Sequence, residues 1–131
     1  MLFEFATATR IVFGPGSVRQ AGPAVAGLGS RVLLVTGRRP ARAESLQRGL
    51  TEAGLDVLVH PVGGEPTVDW LREAATVARA AERDVVVSFG GGSAIDAGKA
   101  MQSSRCGAGR ARVGWCAGVA DPGCQRAAGG V

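Results

Sequence analysis

Apolar residues occur along this chain in short continuous runs with amphipathic stretches between them. The runs lie within the predicted strands at residues 31–36, 55–60 and 84–89, each of which holds three or four consecutive apolar residues. Continuous rather than alternating apolar residues are typical of strands that are covered on both faces, as in a parallel sheet. Between the runs, apolar residues recur at helical spacing, first over about residues 41–53 and again after Thr67. This alternation predicts an α/β fold, a Rossmann-like parallel sheet with flanking helices.

The ends and faces of the two connecting helices can be predicted in the same way. Leu46 and Leu50 lie on one face of the first helix, and Gly54 ends it. Thr67 is predicted to cap the second helix. On the second helix the apolar stripe is predicted to comprise Val68, Leu71, Ala75 and Ala78, and the outward face Glu73, Arg79 and Arg83.

The pattern changes abruptly near residue 102. Residues 102–131 contain no Leu, Ile, Phe or Met, and they hold seven Gly, six Ala, four Arg and all three Cys. They show neither a helical nor a strand period. Residues 2–5 and 10–13, by contrast, predict an N-terminal hairpin. We therefore predict an α/β domain over residues 1–101 and an irregular tail over residues 102–131, which we interpret as an out-of-frame or disordered end.

The charge distribution argues against a nucleic-acid partner. The chain has 15 Lys and Arg against 11 Asp and Glu, a net charge of +4. Residues 1–101 hold 11 of the basic and 10 of the acidic side chains, so the excess lies in the tail, without a patterned basic helix. No apolar run approaches the roughly 20 residues that span a bilayer, and the first residues do not resemble a secretory signal. We therefore expect a cytoplasmic protein that binds neither nucleic acid nor membrane.

The most informative stretch is the glycine turn at residues 90–92, between the third predicted strand and the helix after it. Glycine lets the backbone come within contact distance of a pyrophosphate, where a Cβ would intrude. N–H groups at a helix start bind anions, and Ser93, the predicted cap, can reach a phosphate oxygen. The alternative is a turn that only packs helix on strand. The stretch matches neither G-x-G-x-x-G, because Ile95 replaces the third glycine, nor the P-loop pattern.

Three further polar residues have more than one interpretation. Asp96 lies three residues after Ser93, which is the spacing of a capping box, and this role is favoured over a catalytic one. Lys99 can extend along the surface or reach a cofactor. His60 is the only histidine, and a metal site or a triad needs more than one donor, so we expect a structural residue with its hydrogen bonds satisfied. No residue is assigned a catalytic or metal-binding role.

Four segments together resemble the iron-containing (group III) alcohol dehydrogenase family, within the dehydroquinate synthase-like superfamily. Residues 90–99 read Gly-Gly-Gly-Ser-x-x-Asp-x-x-Lys and resemble that family's GGGSxxDxxK signature. Residues 11–17, 32–36 and 64–67 are similar to the family's opening segment, an early strand, and a loop that ends in Pro-Thr. The order and spacing of all four match over about residues 2–101. Maleylacetate reductases and glycerol dehydrogenases are related families, and the resemblance does not distinguish this chain from them.

The resemblance implies an N-terminal α/β domain that binds NAD(P) and a C-terminal helical domain that supplies an Asp and three His to Fe(II) or Zn(II). By position, the residues after the third strand would hold the pyrophosphate, and those after the first and second strands would lie near the adenosine. The cofactor-binding residues so implied are Gly37, Arg38, Glu65, Gly91, Gly92, Ser93, Asp96 and Lys99. Relatives that prefer NAD often carry Asp where Gly37 stands. Its absence beside Arg38 and Arg39 slightly favours NADP.

The metal domain that the family implies is missing from this sequence, because one histidine cannot supply the ligands. We therefore predict the NAD(P)-binding fragment of an enzyme that interconverts alcohols and aldehydes by hydride transfer, inactive on its own. One alternative is a stand-alone nucleotide-binding module without catalysis; another is a relative of maleylacetate reductase or glycerol dehydrogenase. The expected partners are a dinucleotide and, in the complete enzyme, a small alcohol or aldehyde. The sequence leaves open whether the chain forms a homo-oligomer.

Overall fold

The computed structural model describes residues 15–106 and 115–117, with side chains over residues 15–101. The predicted N-terminal hairpin lies outside the described residues. Within them, helices and strands alternate, with short 3-10 segments before the first two helices. The elements are α1 (Ala21–Ala26), β1 (Arg31–Thr36), α2 (Glu44–Glu52), β2 (Asp56–Pro61), α3 (Val68–Ala80), β3 (Val85–Phe89), α4 (Gly92–Cys106) and β4 (Trp115–Ala117).

The four strands form one parallel sheet in the order β2-β1-β3-β4. The chain therefore moves outward from β1 to β2 and then returns past β1 to β3. Crossovers between parallel strands are right-handed, so this reversal of direction puts the two connecting helices on opposite faces of the sheet. The apolar side chains of α2 and α3 do belong to separate cores on the two faces. The predicted Rossmann-like α/β fold is confirmed.

Each face of the sheet carries its own apolar core. Side chains alternate along β1, so Val32 and Leu34 pack with α1 and α2, while Leu33 and Val35 pack with α3 and α4. Strand β3 divides its side chains between the two cores in the same way. Both central strands are buried along almost their whole length. This two-sided burial explains the continuous apolar runs in the sequence.

Polar side chains connect the strands at their amino ends. The Asp84 carboxylate accepts hydrogen bonds from the backbone N–H groups of Ser30, at 3.2 Å, and Arg31, at 2.8 Å. Arg83 Nη1 lies 3.0 Å from Asp56 Oδ2 and also donates to the Asp56 carbonyl oxygen at 3.0 Å. The prediction that Arg83 faces outward is wrong, because its side chain is buried in this ion pair with the first residue of β2.

Helix α3 follows the prediction at its start but not along its whole apolar stripe. The Thr67 hydroxyl accepts a hydrogen bond from Trp70 N at 3.1 Å, which confirms the predicted cap. The buried face of the helix is formed by Ala74, Ala75 and Ala78. Val68 is 63% exposed, so its predicted place in the core is wrong. Val68 is the first residue of the helix, and the buried residues begin six positions later, at Ala74.

The region after residue 101 contains regular structure. Helix α4 continues past the predicted boundary at residue 101 and ends at Cys106. Residues 115–117 form β4, which pairs with β3 in parallel. These two stretches are therefore regular, where an irregular tail was expected. The division into an α/β domain and a tail and the out-of-frame origin of the tail stay predictions, and residues 107–114 and 118–131 lie outside the described residues.

Helix α4 packs unusually close to β3 at one glycine. A Cβ built on Gly98 would lie 1.7 Å from Ser88 Oγ and 3.0 Å from Ser88 Cβ, and both residues are buried. No side chain larger than hydrogen fits at this position without a shift of the helix or of Ser88. Gly98 thus fixes the distance between the sheet and the helix that carries the glycine turn at its amino end.

We predict that Gly98→Ala lowers the free energy of unfolding by about 1–3 kcal/mol, the usual cost of overpacking a core. Gly49→Ala is the matched control, because a Cβ at Gly49 meets no atom within 4 Å. It should stabilise the chain by roughly 0.5–1 kcal/mol, since alanine is the better helix former. Urea unfolding of both variants measures the difference. Ser88→Gly should restore part of the lost stability in the Gly98→Ala background. Equal stability of Gly98→Ala and Gly49→Ala would contradict the packing argument.

Candidate functional site

The carboxyl ends of β1 and β3 lie side by side, and the chain leaves them in opposite directions. Thr36 and Phe89 are partners in the register, so the residues after them, Gly37 and Gly90, are also neighbours. A Cβ built on Gly90 would lie 3.5 Å from Gly37 N. The loop after β1 leads to one side of the sheet and the turn after β3 leads to α4. Such a switch point opens a crevice at the carboxyl edge, where open α/β sheets bind their ligands.

The turn after β3 depends on glycine for two separate reasons. Gly90 has φ +141°, a backbone conformation that L-residues rarely adopt, and a Cβ there would lie 3.2 Å from Ala94 Cβ. Gly91 and Gly92 are different, because a Cβ on either would meet no atom within 4 Å. Both are exposed. Gly90 is therefore needed for the turn itself, whereas Gly91 and Gly92 leave open space beside the backbone.

Helix α4 begins at Gly92, two residues before the start that a cap at Ser93 would give. Ile95 N donates to Gly91 O at 3.2 Å, so Gly91 is the last residue before the helix and Gly92 the first within it. Ser93 is the second helical residue, and the prediction that it caps the helix is wrong. The capping-box interpretation of Asp96 is wrong for the same reason, because Asp96 lies beyond the third helical position. The first N–H groups of α4, at Gly92 and Ser93, lack partners within the helix and lie next to the crevice.

The remaining predicted residues of this helix lie further from the turn. At 3.6 residues per turn, Gly92, Asp96 and Lys99 share one side of α4. Asp96 and Lys99 are exposed, and Ser93 is half-buried. Lys99 lies seven residues after Gly92, roughly 10 Å along the helix axis at about 1.5 Å per residue. Their roles in cofactor binding stay predictions.

The loops after β1 and β2 are joined by Arg38. Its Nε donates a hydrogen bond to the Gly63 carbonyl oxygen. A Cβ on Gly64 would lie 3.4 Å from Arg38 Nη2. Glu65 follows in the same loop and is exposed. The structure thus brings Gly37 to the glycine turn and Arg38 to the loop that carries Glu65.

Residues that sequence reasoning did not assign also shape this edge of the sheet. Gly63 accepts the Arg38 hydrogen bond through its backbone, which leaves no trace in the sequence. Gly98 sets the spacing between α4 and β3, and only its place in an otherwise ordinary helix could have indicated a close approach. Gly90 was part of the predicted turn, but its positive φ distinguishes it from the next two glycines.

His60 does not behave as predicted. Its ring centroid lies 5.2 Å from that of Trp70, with the rings tilted by 46°. His60 Nε2 is buried and has no hydrogen-bond partner among the described residues, so the expectation of satisfied hydrogen bonds is wrong for this atom. The contact with Trp70 is a favourable interaction of this ring.

The described residues contain neither a cluster of metal-ligating side chains nor a membrane-spanning helix. No group of three or more His, Cys, Asp or Glu lies close enough to hold a metal ion in that part of the chain. None of the helices over the same residues is long and apolar enough to span a bilayer.

Comparison with known proteins gives consistent relatives. The chain is 33% identical over 105 residues to the sulfoacetaldehyde reductase of Bilophila wadsworthia (strain 3_1_6), covering 76% of this chain and 27% of the relative. It is 35% identical over 95 residues to the maleylacetate reductase of Sphingobium indicum, covering 70% and 26%. The solved structure of a 1,3-propanediol oxidoreductase superposes with a TM-score of 0.75 at 25% identity, covering 86% of this chain and 30% of the other. The chain thus spans about a quarter of the length of its curated relatives.

The family match covers most of the chain. The sequence model of the iron-containing alcohol dehydrogenases matches residues 8–110, which include the crevice, the glycine turn and most of the described helices and strands. The similarity therefore rests on a long continuous segment rather than on the glycine motif alone. This chain belongs to the iron-containing alcohol dehydrogenase family.

Proposed function

We propose that this chain binds NAD(P) in the crevice between β1 and β3, as the cofactor-binding part of a metal-dependent alcohol dehydrogenase. Enzymes of the family use NAD(P) and a metal ion. The observation that carries the proposal is the exposed backbone of Gly91 and Gly92 at the start of α4, where a Cβ on either residue would meet no atom within 4 Å. A pyrophosphate placed there would accept hydrogen bonds from the first N–H groups of the helix. The helix dipole adds about 0.3–1 kcal/mol of anion stabilisation.

The residues of this chain would bind and orient the dinucleotide. The backbone of Gly91 and Gly92 and the hydroxyl of Ser93 would hold the pyrophosphate, and Gly37 and Arg38 would lie beside the adenosine ribose. When bound, the nicotinamide supplies hydride transfer to or from a small alcohol or aldehyde. A metal site does not fit the residues at hand, since the sequence has one histidine and the described residues hold no ligand cluster. No step through a metal is therefore assigned to these 131 residues.

A preference for NADP over NAD is the second part of the proposal. Gly37 follows β1 at the place where a carboxylate would accept hydrogen bonds from the ribose hydroxyls and repel a 2′-phosphate. Arg38 and Arg39 come directly after it and are both exposed. Arginine suits a phosphate because its planar guanidinium can donate two parallel hydrogen bonds.

Replacement of Gly37 by Asp tests this preference. A Cβ at Gly37 meets no atom within 4 Å, so the variant should fold like the parent chain. We expect Gly37→Asp to weaken NADPH binding by at least about tenfold, or about 1.4 kcal/mol, and to leave NADH binding equal or tighter. Fluorescence titration with both nucleotides measures the ratio. A loss of affinity by the same factor for NADPH and NADH would contradict the assigned position of the ribose.

Replacement of Gly92 by Ala tests the pyrophosphate site. The added methyl group meets no protein atom within 4 Å, so the melting temperature should not fall. It would occupy the space where the pyrophosphate approaches the backbone, and we expect ADP-ribose affinity to fall by at least about tenfold. Gly49→Ala, the same change in a helix at a distance from the crevice, should leave the affinity unchanged. Equal affinities of Gly92→Ala and the parent chain would exclude this turn as the pyrophosphate site.

A second candidate function is a nucleotide-binding module without catalysis. It is favoured by the combination of an exposed glycine turn with the single histidine of the sequence. Within the proposed dehydrogenase function, a further alternative is that the complete enzyme is a relative of maleylacetate reductase or glycerol dehydrogenase. Titration with NADPH, NADH and ADP-ribose establishes whether there is nucleotide binding, and a turnover assay separates the module from an enzyme.

We expect no turnover from the 131-residue chain alone. The assay combines a high concentration of the chain with NAD(P)H, simple aldehydes and either Fe(II) or Zn(II). The expected result is nucleotide binding without metal-dependent oxidation of NAD(P)H, because the Lewis acid lacks ligands in these residues. Metal-dependent oxidation that disappears on chelation and in Gly92→Ala would overturn this expectation and favour the enzyme over the module.

A further inference from the structure

We propose that Arg38 is a positioning residue. Its side chain holds the β2–α3 loop, residues 62–67, against the loop after β1, at the side of the crevice. The inference rests on the proposed nucleotide site and names the contact that gives one wall of that site its shape. It assigns Arg38 a role that precedes ligand binding, in addition to the contact with ribose implied by the family resemblance.

Both ends of the β2–α3 loop are fixed without Arg38. At its start, Val62 N donates to Thr36 O at 2.8 Å, which extends the pairing of β2 with β1. At its end, the Thr67 hydroxyl accepts from Trp70 N at 3.1 Å. Trp70 Nε1 also donates to Pro61 O at 3.0 Å, which joins the first turn of α3 to the end of β2.

The middle of the loop depends on Arg38. Among the described residues, the hydrogen bond from Arg38 Nε to the Gly63 carbonyl oxygen is the only one that reaches residues 63–66 from another loop. Nη2 of the same guanidinium lies beside Gly64. Two consecutive glycines have more backbone freedom than any other pair, so Gly63 and Gly64 lose more conformational entropy on ordering than two other residues would. One side-chain hydrogen bond therefore limits the freedom of the residues that lead to Glu65.

The chemistry of arginine suits a residue that contacts a loop and a ligand at once. A guanidinium has five N–H donors in one plane, and the bond to Gly63 uses only the one at Nε. The others remain for a phosphate or ribose oxygen without loss of the loop contact. Arg38 also follows Gly37, which is the neighbour of Gly90. Two consecutive residues thus connect the loops after β1, β2 and β3, and order in one loop supports order in the others.

The test uses ¹⁵N relaxation of the full 131-residue chain, free and with ADP-ribose. In the free parent chain we expect order parameters near about 0.85 for the amides of residues 63–65, and below about 0.6 in Arg38→Ala. Arg38→Lys should resemble Arg38→Ala, because an ammonium lacks the lateral Nε–H. Arg39→Ala is the matched control, since it removes the same charge from the next exposed position and should leave the loop amides unchanged.

Nucleotide affinity gives a second readout that mere loss of stability would not move. Arg38→Ala should bind ADP-ribose at least about fivefold more weakly, with an unchanged melting temperature. Unchanged loop order in Arg38→Ala, or equal loosening in Arg39→Ala, would overturn the inference. If the parent chain binds no ADP-ribose, the proposed nucleotide site fails, whereas the relaxation of the free chain still decides the role of Arg38.

Discussion

The handedness of the two crossovers is the constraint on which this structure depends. The chain turns back at β1, and right-handed connections then require α2 and α3 to lie on opposite faces of the sheet. The loops after β1 and β3 consequently diverge. The crevice between them is therefore a result of the backbone topology and does not depend on particular side chains. The glycine turn matters because of where this topology puts it. The same turn at the end of an edge strand would face solvent on one side and form no crevice.

The two edges of the sheet differ in how they are held. At the amino edge, the charged side chains of Arg83 and Asp84, directly before β3, bond to backbone groups at the starts of β1 and β2. At the carboxyl edge, contacts are mainly between backbone and backbone or involve glycine, as at Gly37 and Gly90. Side chains contribute through Arg38, which donates to the Gly63 carbonyl oxygen, and Trp70, which donates to the Pro61 carbonyl oxygen. A ligand at the carboxyl edge would meet mostly main-chain groups.

Much of this could be predicted from the sequence, because apolar patterning and turn chemistry are local signals. The three runs at residues 31–36, 55–60 and 84–89 correspond to strands β1, β2 and β3, and Thr67 caps α3 as predicted. The failures are at positions where distant residues decide. Arg83 is buried because Asp56 is near it in space, 27 residues away in the chain. The cap prediction for Ser93 failed by two residues, because Gly91 is the last residue before the helix, and this excludes a capping box. The Arg38 contact is to a carbonyl oxygen, which every residue type has in common.

The bonds of Asp84 have a consequence for how this fold tolerates change. They attach the start of β1 to the start of β3, on the far side of the sheet from the crevice. Strand alignment is thereby determined at one end of the molecule, independently of the other. Insertions or replacements in the connections beyond Thr36, Pro61 and Phe89 can alter what the protein recognises without sliding one strand past its neighbour. Because strand alignment and ligand recognition depend on opposite edges of the sheet, the loops of this fold can change in specificity while its core stays the same.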